Sequence, residues 1–237
     1  VGEGYHSRAG NPHAEIEALK RAGGKARSAD LYVNLEPCCH FGRTPPCTDA
    51  IIQAGIKRVF FGMKDPNPQV SGKGLRALKA HGIIVVSGVL KEKCMKLNEA
   101  FVKVIQTGMP FVILKTAMSL DGKIATRSKD SRWISGELAR KHVHKIRNFV
   151  DAIMVGTETV LKDNPRLTCR LETRSVKHPV RIILDRRNRI PLTANVFKNS
   201  RSQPVIYVTG PEISSARRKA LEGKRVEILN SKCGKNG

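Results

Sequence analysis

Apolar runs alternate with segments of helical periodicity along the first half of the chain. The runs are β-branched or aromatic, as is typical of strands, and occupy LYVNLEP (31–37), RVFFGMKD (58–65) and IIVVSGV (83–89). Helical spacing marks AEIEALKRAG (14–23), TDAIIQAG (48–55) and GLRALKAHG (74–82), the last two closed by a glycine after the final periodic position. This alternation predicts an α/β layer with mostly parallel strands.

A longer helical pattern separates this region from a second one. KEKCMKLNEAFVKVIQTG (91–108) predicts one helix that ends at Gly108, with Pro110 behind it. The pattern then restarts, with predicted strands at 110–119, 151–157, 180–185 and 204–209 and a predicted helix at 137–148. We therefore expect two α/β domains, 1–108 and 109–237, of which the second ends in a frayed tail, SKCGKNG.

Length and composition are those of a folded, soluble protein. The chain has 237 residues, enough for one large or two modest domains, and a content of 40% hydrophobic and 27% charged residues is ordinary for such a protein. No apolar run approaches the roughly 20 residues that span a bilayer, and the start, VGEGYHSRAG, lacks the apolar core of a signal peptide. We expect a cytoplasmic protein with no membrane partner.

The formal net charge of +23 invites a nucleic-acid interpretation. Residues 1–108 carry 16 Lys and Arg against 9 Asp and Glu, and residues 109–237 carry 27 against 11. The excess is spread through periodic segments, and aromatic residues, which would stack on bases, make up only 5% of the chain. A basic enzyme for phosphorylated small molecules fits as well, and we expect no nucleic-acid partner.

The six cysteines are unevenly placed. Cys38, Cys39 and Cys47 crowd into ten residues, whereas positions 94, 169 and 233 are isolated. This is not the even spacing of a secreted disulfide framework. In a cytosolic chain, such a cluster indicates metal binding or catalysis.

Two motifs supply the donors for a catalytic zinc site. PHAEIEAL puts His13 and Glu15 at a helix start, while LEPCCHFGRTPPC puts Cys38 at a strand end and Cys47 just before a helix that Thr48 can cap. Two thiolates and one imidazole leave a zinc ion with an open position for water, and Glu15 could then act as general base and acid. The adjacent Cys39 points elsewhere on the backbone, so we exclude it from the ligands.

Together these motifs resemble the bifunctional pyrimidine deaminase/reductase family of riboflavin biosynthesis. H-A-E followed by E-P-C-x8-C with T-P-P before the last Cys is that family's deaminase motif, and GYH and KDPNPQVSGKG around it also match. KTAMSLDGKIAT (115–126), SRWISG (131–136), VGTETVLKDNPRLTCR (155–170) and ILDRRNRIP (183–191) resemble the reductase half. The resemblance covers nearly the whole chain and weakens after about position 210.

The resemblance implies a cytidine-deaminase-like three-layer domain followed by a dihydrofolate-reductase-like α/β domain. Both are expected to be incomplete, because the family has a further helix and strand before this start and further strands with a Gly-rich cofactor loop after this end. The implied reactions are zinc-dependent deamination of 2,5-diamino-6-(5-phosphoribosylamino)pyrimidin-4-one and NADPH-dependent reduction of its ribosyl side chain to ribityl. A phosphorylated pyrimidine is thus the expected small-molecule partner, and we expect a homo-oligomer.

The family's functional residues map onto matching positions. In the deaminase domain, His13, Cys38 and Cys47 would bind one Zn²⁺, Glu15 would be catalytic, and His6 and Arg43 would touch the substrate. In the reductase domain, Lys115 would act near the hydride acceptor. The implied substrate-binding residues there are Ser131, Arg147, Leu167 and Arg170, and the implied NADPH-binding residues are Ala117, Trp133, Thr159 and Asp163.

Elementary chemistry agrees with several of these roles. Guanidinium groups that donate two hydrogen bonds, and hydroxyl donors, are suited to binding a sugar phosphate. An apolar surface is suited to binding a nicotinamide ring. For Trp133, packing in the core is the alternative.

Two other functions compete with this interpretation. A tRNA-type nucleic-acid deaminase would explain the charge, but it would need a binding surface in place of a second cofactor domain, and SLDGK with the GTETVLKDNP loop counts against it. A zinc-stabilised binding module without catalysis would need a fourth protein ligand, for which His40 is the candidate.

Overall fold

A computed structural model gives the structure of residues 1–128, 130–173 and 175–231. The chain divides into two compact units, Val1–Leu114 and Lys115–Gly237, so the division falls six residues after the boundary proposed from the sequence. The predicted frayed tail lies almost entirely outside the described residues, as does Cys233.

The first unit is built on a three-stranded parallel sheet. Its strands lie in chain order, with Val33 opposite Phe61 in the first pair and Phe61 opposite Ser87 in the second. They are β1 (Asp30–Leu35), β2 (Arg58–Met63) and β3 (Ile84–Ser87). The helices are α1 (Ala14–Ala22), α2 (Cys47–Gln53), α3 (Lys73–Ala80), α4 (Lys91–Leu97) and α5 (Glu99–Thr107), with a 3₁₀ turn at Gly23–Ala26. The predicted parallel α/β layer is confirmed.

Two side chains on the same face of β2 point into the core of the first unit. Val59 and Phe61 are buried, and Val59 packs with Ile51 of α2 and Leu78 of α3 in one apolar cluster. α4 comes close to the same strand at Gly62, where a Cβ atom would stand 2.1 Å from the Sγ of Cys94. A side chain at position 62 is therefore excluded by the helix, which explains the glycine.

The prediction of a single helix at 91–108 is wrong in one respect, because the structure has two helices there, which are separated at Asn98. This residue has φ −102° and ψ 12°, between the end of α4 and the start of α5. Its side chain donates to the carbonyl of Cys94 at 2.8 Å. Asn side chains compete with the backbone for such hydrogen bonds, which favours a helix end over a helix interior.

The second unit carries a four-stranded sheet that is also fully parallel and follows chain order. The strands are β4 (Ala152–Gly156), β5 (Val180–Leu184), β6 (Val205–Thr209) and β7 (Glu227–Asn230). The helices are α6 (Glu137–Phe149), α7 (Thr157–Asp163) and α8 (Ser215–Gly223), with a 3₁₀ turn at Asn195–Phe197. Three predicted strands and the helix predicted at 137–148 are confirmed.

Three features of the second half differ from the sequence prediction. No strand forms at 110–119, where Val112 and Leu114 are 79% and 88% exposed. A strand needs a hydrogen-bonding neighbour, and local propensity does not supply one. The predicted GTETVLKDNP loop contains α7, and the pair α8–β7 was missed although Ser214, which accepts from the Arg217 N–H at 3.3 Å, is a regular helix N-cap.

A buried carboxylate organises the core of the second unit. Asp185, which follows β5, accepts hydrogen bonds from the hydroxyl of Tyr207 at 2.7 Å, the backbone N–H of Ile190 at 2.8 Å and the hydroxyl of Thr157 at 3.0 Å. The guanidinium of Arg217 lies 3.9 Å away. Burial by itself raises the pKa of Asp185, but the hydrogen bonds outweigh it and the pKa is lowered. The charged carboxylate thus ties β5 to β6 and α7.

In the described parts of the chain, none of the helices combines the length and the apolar composition that a membrane-spanning helix needs.

We predict that Asp185→Asn destabilises the second unit by about 2–4 kcal/mol at pH 7, because buried hydrogen-bond donors lose their charged acceptor. The folded-state pKa of Asp185 lies below its unfolded value, so this stabilisation is present above about pH 4 and is lost as the pH falls through the folded-state pKa. The difference in urea midpoint between the wild type and the variant should therefore shrink on acidification.

Asp151→Asn is the matched control, because Asp151 forms only a surface ion pair with Lys177. Equal midpoints for the two variants at pH 7 would contradict the role given to Asp185.

Candidate functional site

The first donor of the candidate site stands at a helix start. His13 occupies the N-cap position of α1 with extended backbone angles, φ −70° and ψ 163°. The helix begins directly after it, so Glu15 lies in the first turn, where its side chain is buried. The two-residue spacing of H-A-E therefore directs an imidazole and a carboxylate into one region of the first unit.

The two thiols are brought together by the loop between β1 and α2. Cys38 lies three residues beyond the end of β1, and Cys47 is the first residue of α2. The N–H of Cys47 donates to the Sγ of Cys38 at 3.3 Å, and the N–H of Thr48 donates to the carbonyl of Cys38 at 3.1 Å. These bonds fold the intervening segment back on itself.

The three donor atoms fit a zinc ion. The Nδ1 of His13 lies 3.6 Å from the Sγ of Cys38 and 3.2 Å from the Sγ of Cys47, and the three atoms lie within 4.8 Å of one another. Tetrahedral zinc, with Zn–N of about 2.0 Å and Zn–S of about 2.3 Å, places nitrogen and sulfur ligands about 3.5 Å apart. The spacing is thus close to that of a loaded site.

The protonation of the thiols also suits a cation. Hydrogen bonding from Cys47 lowers the pKa of the Cys38 thiol to about 5. The same interaction, together with burial, raises the pKa of Cys47. Cys38 is therefore the thiol of the pair that ionises more readily, and thiolate is the form that binds zinc.

The other ring nitrogen of His13 is also held. The hydroxyl of Thr44 lies 3.3 Å from Nε2, on the loop that joins the two cysteines. A partner on the second nitrogen fixes the orientation of a metal-binding imidazole.

Glu15 lies beside the donor set and is not one of the three donors. Burial raises the pKa of its carboxyl, and the negative charge of Cys38 raises it further. A buried carboxyl next to a site open to water can accept and return a proton.

His40 does not complete a four-ligand site. Among the described residues, the group of clustered donors consists of His13, Cys38 and Cys47 only, and neither His40 nor Cys39 belongs to it. This counts against a binding module held by four protein ligands and leaves the coordination open for water.

Glu36 is an important residue that the sequence analysis missed. Its buried carboxylate, 2% exposed, accepts from the N–H groups of Gly72 at 2.9 Å, Leu75 at 3.0 Å and Asp65 at 3.3 Å. It therefore binds the KDPNPQVSGKG segment to the chain two residues before Cys38. The sequence did offer a signal for this role, namely an acidic residue directly before the P-C motif and a later segment, KDPNPQVSGKG, that contains two glycines.

A glycine completes this contact. A Cβ atom at Gly74 would stand 2.1 Å from the carbonyl oxygen of Pro37. Only glycine lets α3 approach the backbone that carries Cys38 so closely.

The two predicted substrate residues of this unit lie near the cluster in different ways. The ring of His6 packs edge-on against that of His13, with centroids 5.1 Å apart, and its Nδ1 lies 3.0 Å from the carbonyl of Pro12. Arg43 is exposed and adjoins Thr44, which contacts His13. His6 is fixed at the site, and Arg43 extends from the loop beside it.

The second unit brings some of its predicted residues together in pairs. The hydroxyl of Ser131 donates to Asp163 at 3.3 Å, at the last residue of α7. Arg132 donates to the carbonyl of Asp163 at 2.9 Å. Thr159 lies exposed on the same helix.

A second group contains the predicted phosphate contacts. Arg147 of α6 donates to the carbonyl of Thr168 at 3.1 Å. In the sequence, Thr168 directly follows the buried Leu167, and the exposed Arg170 comes two residues later. Burial lowers the pKa of Arg147, and the neighbouring charge of Arg170 lowers it further. Two cations that repel each other favour an anion between them.

The remaining predicted residues are not joined to these groups. Across the described part of the chain, no hydrogen bond or ion pair links Lys115 or Ala117 to them. Trp133 is 72% exposed, and the guanidinium carbon of Arg140 lies 4.3 Å from its ring centroid. Trp133 is thus not packed in the core of the described structure, and the Arg140 guanidinium lies over its ring.

Comparison with protein families assigns both units. Residues 1–63 match the family model of the cytidine and deoxycytidylate deaminase zinc-binding region, and residues 110–231 match the RibD C-terminal domain. The chain belongs to the RibD family. The family inferred from the motifs is thereby confirmed.

Relatives within the RibD family are similar over almost the whole chain. The riboflavin biosynthesis protein RibD of Aquifex aeolicus is 49% identical over 97% of this chain and 64% of its own length, and that of Bacillus amyloliquefaciens is 45% identical over 98% and 62%. The chain thus spans less than two thirds of the length of these curated relatives.

Solved structures of RibD proteins are similar to the same extent. Acinetobacter baumannii RibD has a TM-score of 0.85 at 42% identity, covering 100% of this chain and 65% of that one. A diaminohydroxyphosphoribosylaminopyrimidine deaminase/5-amino-6-(5-phosphoribosylamino)uracil reductase from Thermotoga maritima has a TM-score of 0.85 at 44% identity, covering 98% and 64%.

We predict that Cys38→Ser lowers the zinc content of the purified protein from about one ion per chain to a small fraction, because a thiolate ligand is lost. The neighbouring Cys39→Ser is the control and should keep its zinc, since Cys39 lies outside the donor cluster. Inductively coupled plasma mass spectrometry measures both. Equal zinc contents in the two variants would show that Cys38 is not a ligand.

Proposed function

We propose that this chain carries the deaminase and reductase activities of riboflavin biosynthesis. The observation that carries the proposal is the convergence of His13, Cys38 and Cys47 beside the buried Glu15, in a chain with a RibD C-terminal domain. The proposed substrate is 2,5-diamino-6-(5-phosphoribosylamino)pyrimidin-4-one. A homo-oligomeric state and a cytoplasmic location stay predictions.

In the deaminase reaction, His13, Cys38 and Cys47 would hold the zinc ion. Zinc bound by three protein ligands supplies a Lewis acid that makes water a nucleophile near neutral pH. Glu15 takes a proton from the attacking water and delivers a proton to the leaving amino group, so that water adds at the amidine carbon and ammonia departs. His6 and Arg43 bind the substrate beside it.

In the reductase reaction, the second unit binds a phosphorylated sugar and a dinucleotide. NADPH supplies the hydride that converts the ribosyl chain to ribityl. Lys115 orients or polarises the carbon that is reduced, and Arg147 and Arg170 hold the phosphate, with Ser131 and Leu167 completing the substrate contacts. Ala117, Trp133, Thr159 and Asp163 would contact the cofactor. The excess of basic residues in this half supports the binding of both polyanions.

A nucleic-acid deaminase is the less favoured function. Its main support was the net charge of +23. The second unit, which carries most of that charge, matches a reductase-family domain.

We predict that Glu15→Gln keeps its zinc and loses deamination by at least two orders of magnitude, because the amide cannot carry the proton. Glu17→Gln, two residues along the same helix, is the control and should leave turnover near the wild-type value. Ammonia release with the pyrimidine substrate, read beside the metal content, separates catalysis from folding. Near-normal turnover of the Glu15 variant would refute the assignment.

We predict that Arg147→Lys and Arg170→Lys each raise the KM for the deaminated pyrimidine about tenfold or more. Lysine keeps the charge but loses the bidentate guanidinium contact to phosphate. NADPH affinity should be unchanged, and Arg218→Lys on α8 serves as the control for a generic Arg replacement. The measurement is substrate-dependent NADPH oxidation. Unchanged KM values, or equally fast oxidation without the pyrimidine, would contradict the proposal.

A further inference from the structure

The second unit contains a basic pocket of about 800 Å³ at the end of the sheet where β5 and β6 begin. It is lined by residues of the segments 166–170 and 195–203, by His178 and Arg181, and by Gly223 and Lys224 at the end of α8. None of the described lining residues is Asp or Glu. Its Lys and Arg residues are Arg166, Arg170, Arg181, Lys198, Arg201 and Lys224.

One of these cations is buried without a counter-charge. Arg181 is 1% exposed and donates to two carbonyls, those of Lys198 at 3.1 Å and Gln203 at 2.5 Å. Its Nε has no hydrogen-bond partner, and no described carboxylate lies within ion-pairing distance. Burial lowers the pKa of Arg181 to about 10. The two carbonyl dipoles reduce the free-energy cost of burying the Arg181 charge, but they supply no net negative charge.

The exposed cations around Arg181 are held on an ordered loop. The N–H groups of Ser202 and Gln203 both donate to the carbonyl of Asn199, and the hydroxyl of Ser200 donates to the carbonyl of Lys224 at 2.5 Å. These bonds hold the residues after α8 against the loop that carries Lys198 and Arg201. Like charges gathered in this way repel one another, and a multiply charged anion would relieve the repulsion.

We propose that this pocket binds a small molecule bearing a diphosphate group, with Lys198, Arg201 and Lys224 contacting the phosphates and Arg181 supplying the buried charge behind them. The volume is that of a small-molecule site. The described lining contains no Trp or Tyr, its Phe197 is buried, and its His178 accepts from the N–H of Cys169 at 3.3 Å, so the pocket offers little stacking surface for the bases of a nucleic acid. Arg170 is shared with the predicted substrate residues, but the three contacting residues belong to neither proposed active site.

Isothermal titration calorimetry with inorganic pyrophosphate at low ionic strength tests the site. The triple variant K198Q/R201Q/K224Q should bind pyrophosphate at least tenfold more weakly than the wild type. The control K141Q/K145Q/K219Q removes the same charge from exposed positions of this unit outside the pocket, and it should bind within about twofold of the wild type.

Three results would overturn the proposal: no pyrophosphate binding by the wild type, equal weakening in both triple variants, or unchanged binding in the pocket variant. A tenfold rise in the KM of the pocket variant for the phosphorylated pyrimidine would also overturn it, since the pocket would then be the reductase's own phosphate site. Zinc content and the effect of Glu15→Gln are measured separately, so failure here is distinguishable from failure of the proposed function.

Discussion

One imidazole nitrogen and two sulfur atoms lie within 4.8 Å of one another in the first unit, and the local structure follows from holding them there. His13 supplies its ring from the position where α1 starts, and Cys47 supplies its sulfur from the first turn of α2. Cys38 comes from the chain just beyond β1. A bound cation would hold the start of α1, the start of α2 and the chain beyond β1 together. It would thereby stabilise the folded protein.

The position of Cys38 depends in turn on a contact without a metal. Glu36 accepts three backbone N–H groups from the segment before and within α3, and Gly74 allows that helix to reach Pro37. The second unit has a similar arrangement, because Asp185 directly after β5 accepts hydrogen bonds from Thr157, Ile190 and Tyr207. In both parallel sheets a buried carboxylate just beyond a strand binds a neighbouring segment: Glu36 binds the segment that leads into α3, and Asp185 binds the start of α7, the helix that carries Thr159 and Asp163.

Much of this was accessible from the sequence because the relevant signals are local. Apolar runs and glycine stops predicted six of the seven described strands, and the spacing of H-A-E and P-C-x8-C identified the donors that the fold brings together. The break at Asn98 was not accessible, because it depends on one side-chain hydrogen bond that competes with the helix. The strand expected at 110–119 failed because pairing requires a neighbour that local sequence does not specify. Glu36 and Arg181 escaped notice since burial, which gives each its importance, follows from tertiary packing.

The zinc centre is expected to have three protein ligands and one position for water. X-ray absorption spectroscopy at the zinc edge of the purified protein measures this coordination. We predict two sulfur scatterers at about 2.3 Å and two nitrogen or oxygen scatterers at about 2.0–2.1 Å, of which one shows the multiple scattering of a single imidazole. A shell of three or four sulfurs, or of two sulfurs with two imidazoles, would rule out a centre with His13, Cys38, Cys47 and water as its four ligands.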